Sequence, residues 1–162
     1  MDVAPEHLKP VLIMAYHEPM RKMEILQLEW KEVDLTKSPG FIRLAAKRVK
    51  GKKQGRVIPL HPRVLQMLKG LPSRFAKGRV FLRAGIPFDD IKHSFGTALK
   101  NAAIEDFVFH DFRHCAVTNL RKAGNDYTTI MKASGHKTMS MFFRYNLVGE
   151  EDVANMKWKE HP

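Results

Sequence analysis

Apolar residues recur at helical spacing through the first part of the chain. Over residues 6–30, apolar side chains return every three or four positions on both sides of a proline. Pro19 lacks a backbone donor and clashes with the preceding helical turn, so we expect two helices with a break between them. Arg21 would then lie at or just inside the start of the second helix.

A short β region is predicted next. Residues 32–35 are a candidate first strand, and the segments 41–44 and 56–60 are candidate strands of a hairpin. The segment between them, residues 47–55, is called the hairpin tip below. It contains two glycines and five basic residues, which are Lys47, Arg48, Lys50, Lys52 and Lys53. We therefore expect a small antiparallel sheet with a flexible basic tip.

The remainder of the chain is predicted to be mainly helical. A helix should open at Pro62, and Gly124 and Gly135 stand where helix C-caps prefer glycine. Asn125 or Asp126 is the candidate N-cap of the helix that ends at Gly135. Further helices are expected over residues 88–103, 111–123, 138–145 and 153–158. The pattern predicts an α+β domain, mainly helical, with one small sheet.

The balance of charge adds a class of partner to this picture. The chain has 28 Lys and Arg against 17 Asp and Glu, a formal net charge of +11. A compact basic domain attracts polyanions, of which nucleic acid is the commonest. On charge alone, a basic protein with no nucleic-acid role stays open as the alternative.

The composition also indicates a compartment. The single cysteine, Cys115, cannot form an intramolecular disulfide, which suits a reducing environment. No apolar run approaches the roughly 18 residues that span a bilayer, and no secretory signal opens the chain. We expect a cytoplasmic protein that does not associate with membranes.

One pair of polar residues and one further arginine could bind a phosphate. His110 and Arg113 lie three positions apart, so they share a helical face and can hold two oxygens of one phosphate. Arg21, on the early helix, is a further candidate. Each has an ordinary alternative, because a His-x-x-Arg pair is common and Arg21 could be a salt-bridge partner of Glu24.

Two more candidates lie towards the C-terminus. His136 follows Gly135, where the chain turns after a predicted helix end, and Tyr145 lies nine positions further on (145 − 136 = 9). Alone, His136 could be a surface residue and Tyr145 a half-buried core aromatic. The order and spacing of the whole set carry more information than any member.

That ordered set resembles the tyrosine recombinase (phage integrase) family. The family's catalytic signature is an Arg, a Lys on a β-hairpin, His-x-x-Arg, a His or Trp, and a nucleophilic Tyr. The segments 110–114, 135–137 and 144–145 are similar to it, and the spacing from His136 to Tyr145 is the usual one. The resemblance runs from about residue 8 to residue 145. It implies the tyrosine-recombinase catalytic fold, with a small three-stranded antiparallel sheet.

The resemblance also implies a role for each matching residue. Tyr145 would attack the phosphodiester with His110 as the candidate base, and Lys50 or Lys52 would protonate the leaving 5′ oxygen. The implied catalytic set is Arg21, Lys50, His110, Arg113, His136 and Tyr145. The implied DNA-binding residues are Lys47, Arg48, Lys52, Lys53 and Lys137. No cofactor and no metal are implied.

Domain organisation and partners follow from the same resemblance. We expect residues 1–145 to be the catalytic domain and residues 146–162 a tail that docks on its own domain or on a neighbouring subunit. The family's N-terminal core-binding domain is expected to be absent from this chain. The expected partner is double-stranded DNA at specific recombination sites, bound by a tetramer when full length, whereas the isolated chain should be a monomer.

One departure from the family pattern stands out. The family usually has Thr-Gly before the segment that begins at Met20, where this chain has Glu18 and Pro19. We expect Glu18 to place a negative charge near the phosphate pocket and Pro19 to restrict the approach to Arg21.

Several other functions are compatible with parts of the pattern. A type IB topoisomerase-like enzyme would use a similar pocket, and a degenerate DNA-binding module would have no need of Tyr145. A basic RNA-binding protein would be expected to carry a stacking motif on its sheet. His110 and His114, four apart, have a zinc-compatible spacing, but no clear third ligand follows them.

Overall fold

The computed structural model describes residues 3–48, 55–143, 149 and 153–154, which form seven α-helices and two small sheets. The helices are α1 (Lys9–His17), α2 (Lys22–Leu26), α3 (Pro62–Gly70), α4 (Lys92–Asn101), α5 (Asp111–Lys122), α6 (Tyr127–Ser134) and α7 (Met139–Phe143). The strands are β1 (Val33–Asp34), β2 (Phe41–Leu44), β3 (Arg56–Pro59), β4 (Leu82–Arg83) and β5 (Ile86–Pro87). No described helix is both long and apolar enough to cross a bilayer.

The predicted three-stranded sheet is confirmed. Its order is β1-β2-β3 and both pairs are antiparallel, with Ile42 opposite Val33 on one side and Ile58 on the other. Ile42 and Ile58 are buried, whereas Arg43 and Val57 beside them are exposed. The sheet therefore covers the core with one face only, as the alternation of a half-buried antiparallel sheet requires.

A second hairpin was not predicted. β4 and β5 pair across Ala84 and Gly85, which both have positive φ values, of 49° and 79°. Two-residue turns of this kind suit the twist of a hairpin. The helix predicted to begin at residue 88 is α4 and begins only at Lys92, whose backbone N–H donates to the Asp90 carboxylate at 2.8 Å.

The core is built around α1. This helix packs against α3, α2 and α5, and its inward side chains include Val11, Met14 and Ala15. A separate small cluster joins the last three helices, where Val117, Ile130 and Phe142 are buried against one another. Burial of a phenylalanine side chain contributes about 3 kcal/mol, so Phe142 holds α7 firmly on α5 and α6.

The break between the first two helices occurs at the proline, as predicted. α1 ends at His17, and Glu18 is in an extended conformation with φ −107° and ψ 132°. The Glu18 side chain is 2% exposed, and its Oε1 accepts a hydrogen bond from the His61 backbone N–H at 2.8 Å. His61 is the N-cap of α3, so Glu18 ties the end of α1 to the start of α3.

The structure gives Glu18 a role that was not predicted. Its carboxylate accepts a hydrogen bond from the backbone at the start of α3. Burial raises the pKa of Glu18 to about 7, and the hydrogen bond from His61 only partly opposes that effect.

This raised pKa predicts a pH-dependent contribution to stability. The folded state binds a proton on Glu18 more tightly than the unfolded chain, whose carboxyl has a pKa of 4.5. Stability from Glu18 is therefore fully present below that value and is lost as the pH rises through the folded pKa, by up to about 3 kcal/mol. We expect Glu18→Gln, neutral at every pH, to gain stability relative to the unmodified chain between about pH 5 and pH 8.5, as measured by thermal unfolding.

Glu105→Gln is the matched control, because Glu105 is exposed. It should show the same stability difference from the unmodified chain at both pH values. A Glu18→Gln difference that did not change with pH would contradict the prediction.

Candidate active site

Arg113 is held rigidly inside the domain. It lies in the first turn of α5, and its side chain is buried. Nη1 donates to the Pro19 carbonyl at 3.1 Å, and Nη2 donates to the Ser134 carbonyl at 2.8 Å. Because these carbonyls come from two other segments of the chain, the guanidinium orientation is fixed by tertiary structure.

His136 reaches the same place through a glycine turn. α6 ends at Gly135, which has φ +79°, a conformation that glycine adopts without strain. A Cβ at this position would also collide with Nη1 of Arg56. After the turn, His136 Nε2 lies 3.2 Å from Arg113 Nη2, and its Nδ1 lies 2.8 Å from Ser134 Oγ.

These contacts determine the protonation of the His136 ring. Burial, followed by the nearby charge of Arg113 and then of Arg21, lowers the pKa of His136 to about 4, so the ring is neutral at pH 7. A guanidinium can only donate, so Nε2 must accept from Arg113. The ring proton then lies on Nδ1, from which it is donated to Ser134 Oγ.

Arg21 is oriented by a neighbouring carboxylate. Arg21 is the N-cap of α2, and Glu24 accepts from its backbone N–H at 2.7 Å and from its Nη1 at 3.0 Å. The salt bridge that offered an ordinary explanation for Arg21 is therefore present. The Arg21 side chain is 34% exposed, so it is held in place while it keeps access to solvent.

His110 borders the same cluster. It is the N-cap of α5 and is exposed. Partial burial, and then the charge of Arg113, lowers the pKa of His110, with smaller contributions from His114 and Arg21. The rings of His110 and His114 pack edge to face, with their centroids 5.5 Å apart. Within the described part of the chain, no three His, Cys, Asp or Glu residues are arranged to hold a metal ion.

The structure thus brings four of the six predicted catalytic residues together. His136 contacts Arg113 directly, and His110 is the N-cap of the helix that carries Arg113. Arg21 bonds to Glu24, whose carboxylate also accepts from Arg56, and Arg56 shares the Ser134 carbonyl with Arg113. Tyr145 and Lys50 lie outside the described residues. So do Lys52 and Lys53 of the predicted DNA-binding set.

The other predicted DNA-binding residues differ in their surroundings. Lys47 and Lys137 are exposed. Arg48 instead faces the protein, where its Nε lies 3.2 Å from a Glu32 carboxylate oxygen and its Nη2 donates to the Glu24 carbonyl at 3.4 Å. In this structure Arg48 supports the segment beneath the site.

Two residues of this cluster, Arg56 and Ser134, were not identified from the sequence. Arg56 donates to the Ser134 carbonyl and to the Glu24 carboxylate, each at 2.6 Å. A signal was available for one of them. In β3, Ile58 is an inward position, so the alternation of the strand also directs Arg56 inwards.

The described residues thus form a basic α+β domain in which two arginines and two histidines lie around one cluster. The chain matches the model described as "Phage integrase family" over residues 2–151. It therefore belongs to the phage integrase family.

Curated relatives agree with this assignment. The chain is 32% identical over 135 residues to the shufflon-specific DNA recombinase of Escherichia coli, a match that covers 82% of this chain and 32% of the relative. It is 25% identical over 158 residues to the integrase of Salmonella phage P22, covering 90% of this chain and 40% of that protein. The chain thus spans about a third of the length of these relatives.

Solved structures confirm the fold. The XerA recombinase superposes with a TM-score of 0.74 at 17% identity, covering 91% of this chain and 56% of that chain. The catalytic domain of bacteriophage HP1 integrase superposes with a TM-score of 0.64 at 23% identity, covering 85% of this chain and 73% of that chain. The predicted tyrosine-recombinase catalytic fold is therefore confirmed.

The contacts of His136 predict its tautomer. In the DNA-free protein at about pH 7, we expect the ring to carry its proton on Nδ1, because Arg113 requires Nε2 to accept. Long-range proton–nitrogen NMR spectra of labelled histidine distinguish the two ring nitrogens, and the exposed His93 provides an internal reference. The ring should take up a second proton only near pH 4. A spectrum with the proton on Nε2 at neutral pH would contradict the prediction.

Proposed function

We propose that this chain is the catalytic domain of a site-specific DNA recombinase that cuts and rejoins strands through a 3′-phosphotyrosyl intermediate. Membership of the phage integrase family supports this activity. The observation that carries the proposal is the convergence of Arg21, the His110–Arg113 pair and His136, which come from three separate parts of the sequence.

The cluster can supply the positive field that attack on a phosphodiester requires. The ester is anionic and repels nucleophiles, and its charge becomes concentrated on the non-bridging oxygens in the transition state. Fixed donors aimed at that charge are each worth about a hundredfold or more in rate. Arg113 is already oriented by two carbonyls, and Arg21 is oriented by Glu24. Little reorganisation would be needed when DNA binds, and we propose that the reaction uses no metal ion.

Tyr145 is the proposed nucleophile. The described chain reaches α7, where Phe142 is fully buried and lies three positions before Tyr145 (145 − 142 = 3). A phenol has a pKa near 10 and is mostly protonated at neutral pH. His110, whose pKa is lowered, is neutral at that pH and is the proposed base.

In the proposed cleavage step, one bond to phosphorus forms as another breaks. The Tyr145 oxygen forms a bond to phosphorus, and its proton passes to His110. The bond from phosphorus to the 5′ oxygen breaks, and Lys50, or alternatively Lys52, donates a proton to that oxygen. The ester bond energy is kept in the phosphotyrosine, so the reverse reaction with a 5′ hydroxyl rejoins the strand without ATP.

The proposed partner is double-stranded DNA at specific recombination sites. Structures with similar folds include a Tn1549 transposon integrase in complex with transposon right end DNA and the XerH recombinase bound to its difH substrate. We propose that the full-length protein acts as a tetramer on DNA in the cytoplasm and that the isolated chain is a monomer. The exposed Lys47 and Lys137 would contact the phosphate backbone, together with Lys52 and Lys53 of the hairpin tip.

Covalent capture tests the nucleophile. A library of nicked duplexes, randomised around the nick, would be incubated with the 162-residue chain. Cleavage opposite or beside a nick releases a short strand that diffuses away, so the covalent adduct accumulates. We expect a denaturant-resistant protein–DNA adduct whose phosphopeptide contains Tyr145, and we expect Tyr145→Phe to abolish it.

Tyr16→Phe is the control, because Tyr16 is an exposed tyrosine of α1. It should form the adduct as the unmodified chain does. Persistence of the adduct in Tyr145→Phe would refute the nucleophile, and no adduct on any member of the library would refute strand cleavage by this chain.

The proposed backbone contacts predict a change in salt dependence. A lysine that binds a phosphate releases about one counterion, so its loss should reduce the slope of log affinity against log salt by about one. We expect this reduction for Lys47→Ala and for Lys137→Ala, in fluorescence anisotropy titrations of a labelled duplex. Lys100→Ala, an exposed position on α4, should leave the slope unchanged. An unaltered slope in both variants would show that these lysines do not contact the phosphate backbone.

A further inference from the structure

Arg56 is a buried cation within the site to which the proposed mechanism gives no part. Its side chain is 3% exposed, and it is the first residue of β3. Burial lowers the pKa of Arg56, and the nearby Glu24 carboxylate opposes that effect. A buried charge costs several kcal/mol unless it is well paired. The Arg56 guanidinium therefore needs acceptors at fixed positions around it.

Arg56 bonds to the same two acceptors that orient Arg21 and Arg113, the arginines proposed to bind the phosphate. Its Nη2 donates to Oε2 of Glu24, while Oε1 of the same carboxylate accepts from Nη1 of Arg21. Its Nη1 donates to the Ser134 carbonyl, which also accepts from Nη2 of Arg113. Arg56 therefore connects Arg21 to Arg113 through one shared acceptor on each side.

Arg56 also lies next to two glycines, Gly135 before His136 and Gly55 at the end of the hairpin tip. Gly135, which turns the chain towards His136, lies so close to Arg56 that a Cβ there would collide with Nη1. Gly55, the last residue of the hairpin tip, directly precedes Arg56 in the chain. Arg56 thus links the base of the hairpin tip to the arginine–histidine cluster.

We propose that Arg56 is a positioning residue for strand cleavage, whose guanidinium sets the spacing of Arg21 and Arg113 by bridging Glu24 and the Ser134 carbonyl. The inference rests on the proposed function. Arg56 acts through these partners and does not touch the phosphate, because its side chain is closed to solvent and its two terminal nitrogens bond to protein acceptors.

A lysine cannot take over this role. The carbonyl and the carboxylate are bound by two different nitrogens of a planar fork, whereas a lysine offers a single nitrogen on a flexible stem. Arg56→Lys keeps the charge and removes the bridge. Misplacement of a catalytic group by about 1 Å can cost on the order of a hundredfold in rate.

The first experiment separates positioning from binding. For Arg56→Lys and the unmodified chain, we would measure the single-turnover rate of adduct formation on a captured nicked duplex at saturating protein, the Kd for that duplex, and the melting temperature. We expect the rate to fall at least about tenfold while Kd changes by less than about twofold. A rate within about twofold of the unmodified chain would overturn the proposal.

Arg79→Lys is the matched control. Arg79 also bonds to a backbone carbonyl and a carboxylate, namely those of Leu26 at 3.0 Å and Asp89 at 3.1 Å, but it is not part of the cluster. Its substitution should alter the melting temperature without altering the cleavage rate. A rate loss equal to that of Arg56→Lys would mean that any such bridge matters equally, and it would overturn a specific role for Arg56.

A second experiment needs neither cleavage nor a folded variant. Sulfate would be titrated into the unmodified chain, and the guanidinium resonances would be followed by NMR. We expect the Arg21 and Arg113 signals to shift as sulfate is added. The Arg56 signal should shift by only a small fraction of that amount. An Arg56 shift as large as that of Arg113 would show direct anion contact and overturn the proposal, whereas failure of the proposed function would appear separately as the absence of any adduct.

Discussion

The Ser134 carbonyl is the point on which the geometry of the site depends. It accepts hydrogen bonds from Arg56 at 2.6 Å and from Arg113 at 2.8 Å. It lies at the end of α6, where unpaired carbonyls concentrate negative charge and cations are favoured. Guanidinium groups repel one another at close range, so they can be gathered only around fixed acceptors such as this one and the Glu24 carboxylate. The positions of these acceptors therefore determine where the arginines lie and where the positive charge of the site is concentrated.

This arrangement also explains the state of the histidine beside it. His136 lies among cations and is buried, and both conditions lower its pKa. It consequently stays neutral and can accept from Arg113, which adds no further positive charge to an already crowded site. The cluster thus limits its own repulsion in the absence of DNA. The folded domain therefore offsets the repulsion between these cations before substrate binds. An anion bound to the arginines would reduce that repulsion further.

Two kinds of feature could be predicted from the sequence: those with a local pattern, and those marked by the motif spacing of the family. The helix break at Pro19, the three-stranded sheet and the grouping of Arg21, His110, Arg113 and His136 belong to these two kinds. The β4–β5 hairpin was missed because strands of two residues leave almost no periodic pattern. The start of α4 was misplaced because the Asp90 carboxylate, and not the apolar pattern, determines where that helix begins. The bridge through Arg56 joins residues 78 positions apart, a contact that no local pattern encodes.

The departure at Glu18 and Pro19 illustrates how a local irregularity can support a distant residue. Proline ends α1 and leaves its own carbonyl without a helical partner, and this carbonyl accepts from Nη1 of Arg113 at 3.1 Å. Glu18 meanwhile bonds to the backbone of His61 and fixes the same turn to α3. A continuous helix through this segment would use the carbonyl internally and remove one of the described supports of Arg113. The break between α1 and α2 is thus part of the machinery that orients the arginine, and the departure from the family's usual residues is compatible with an intact site.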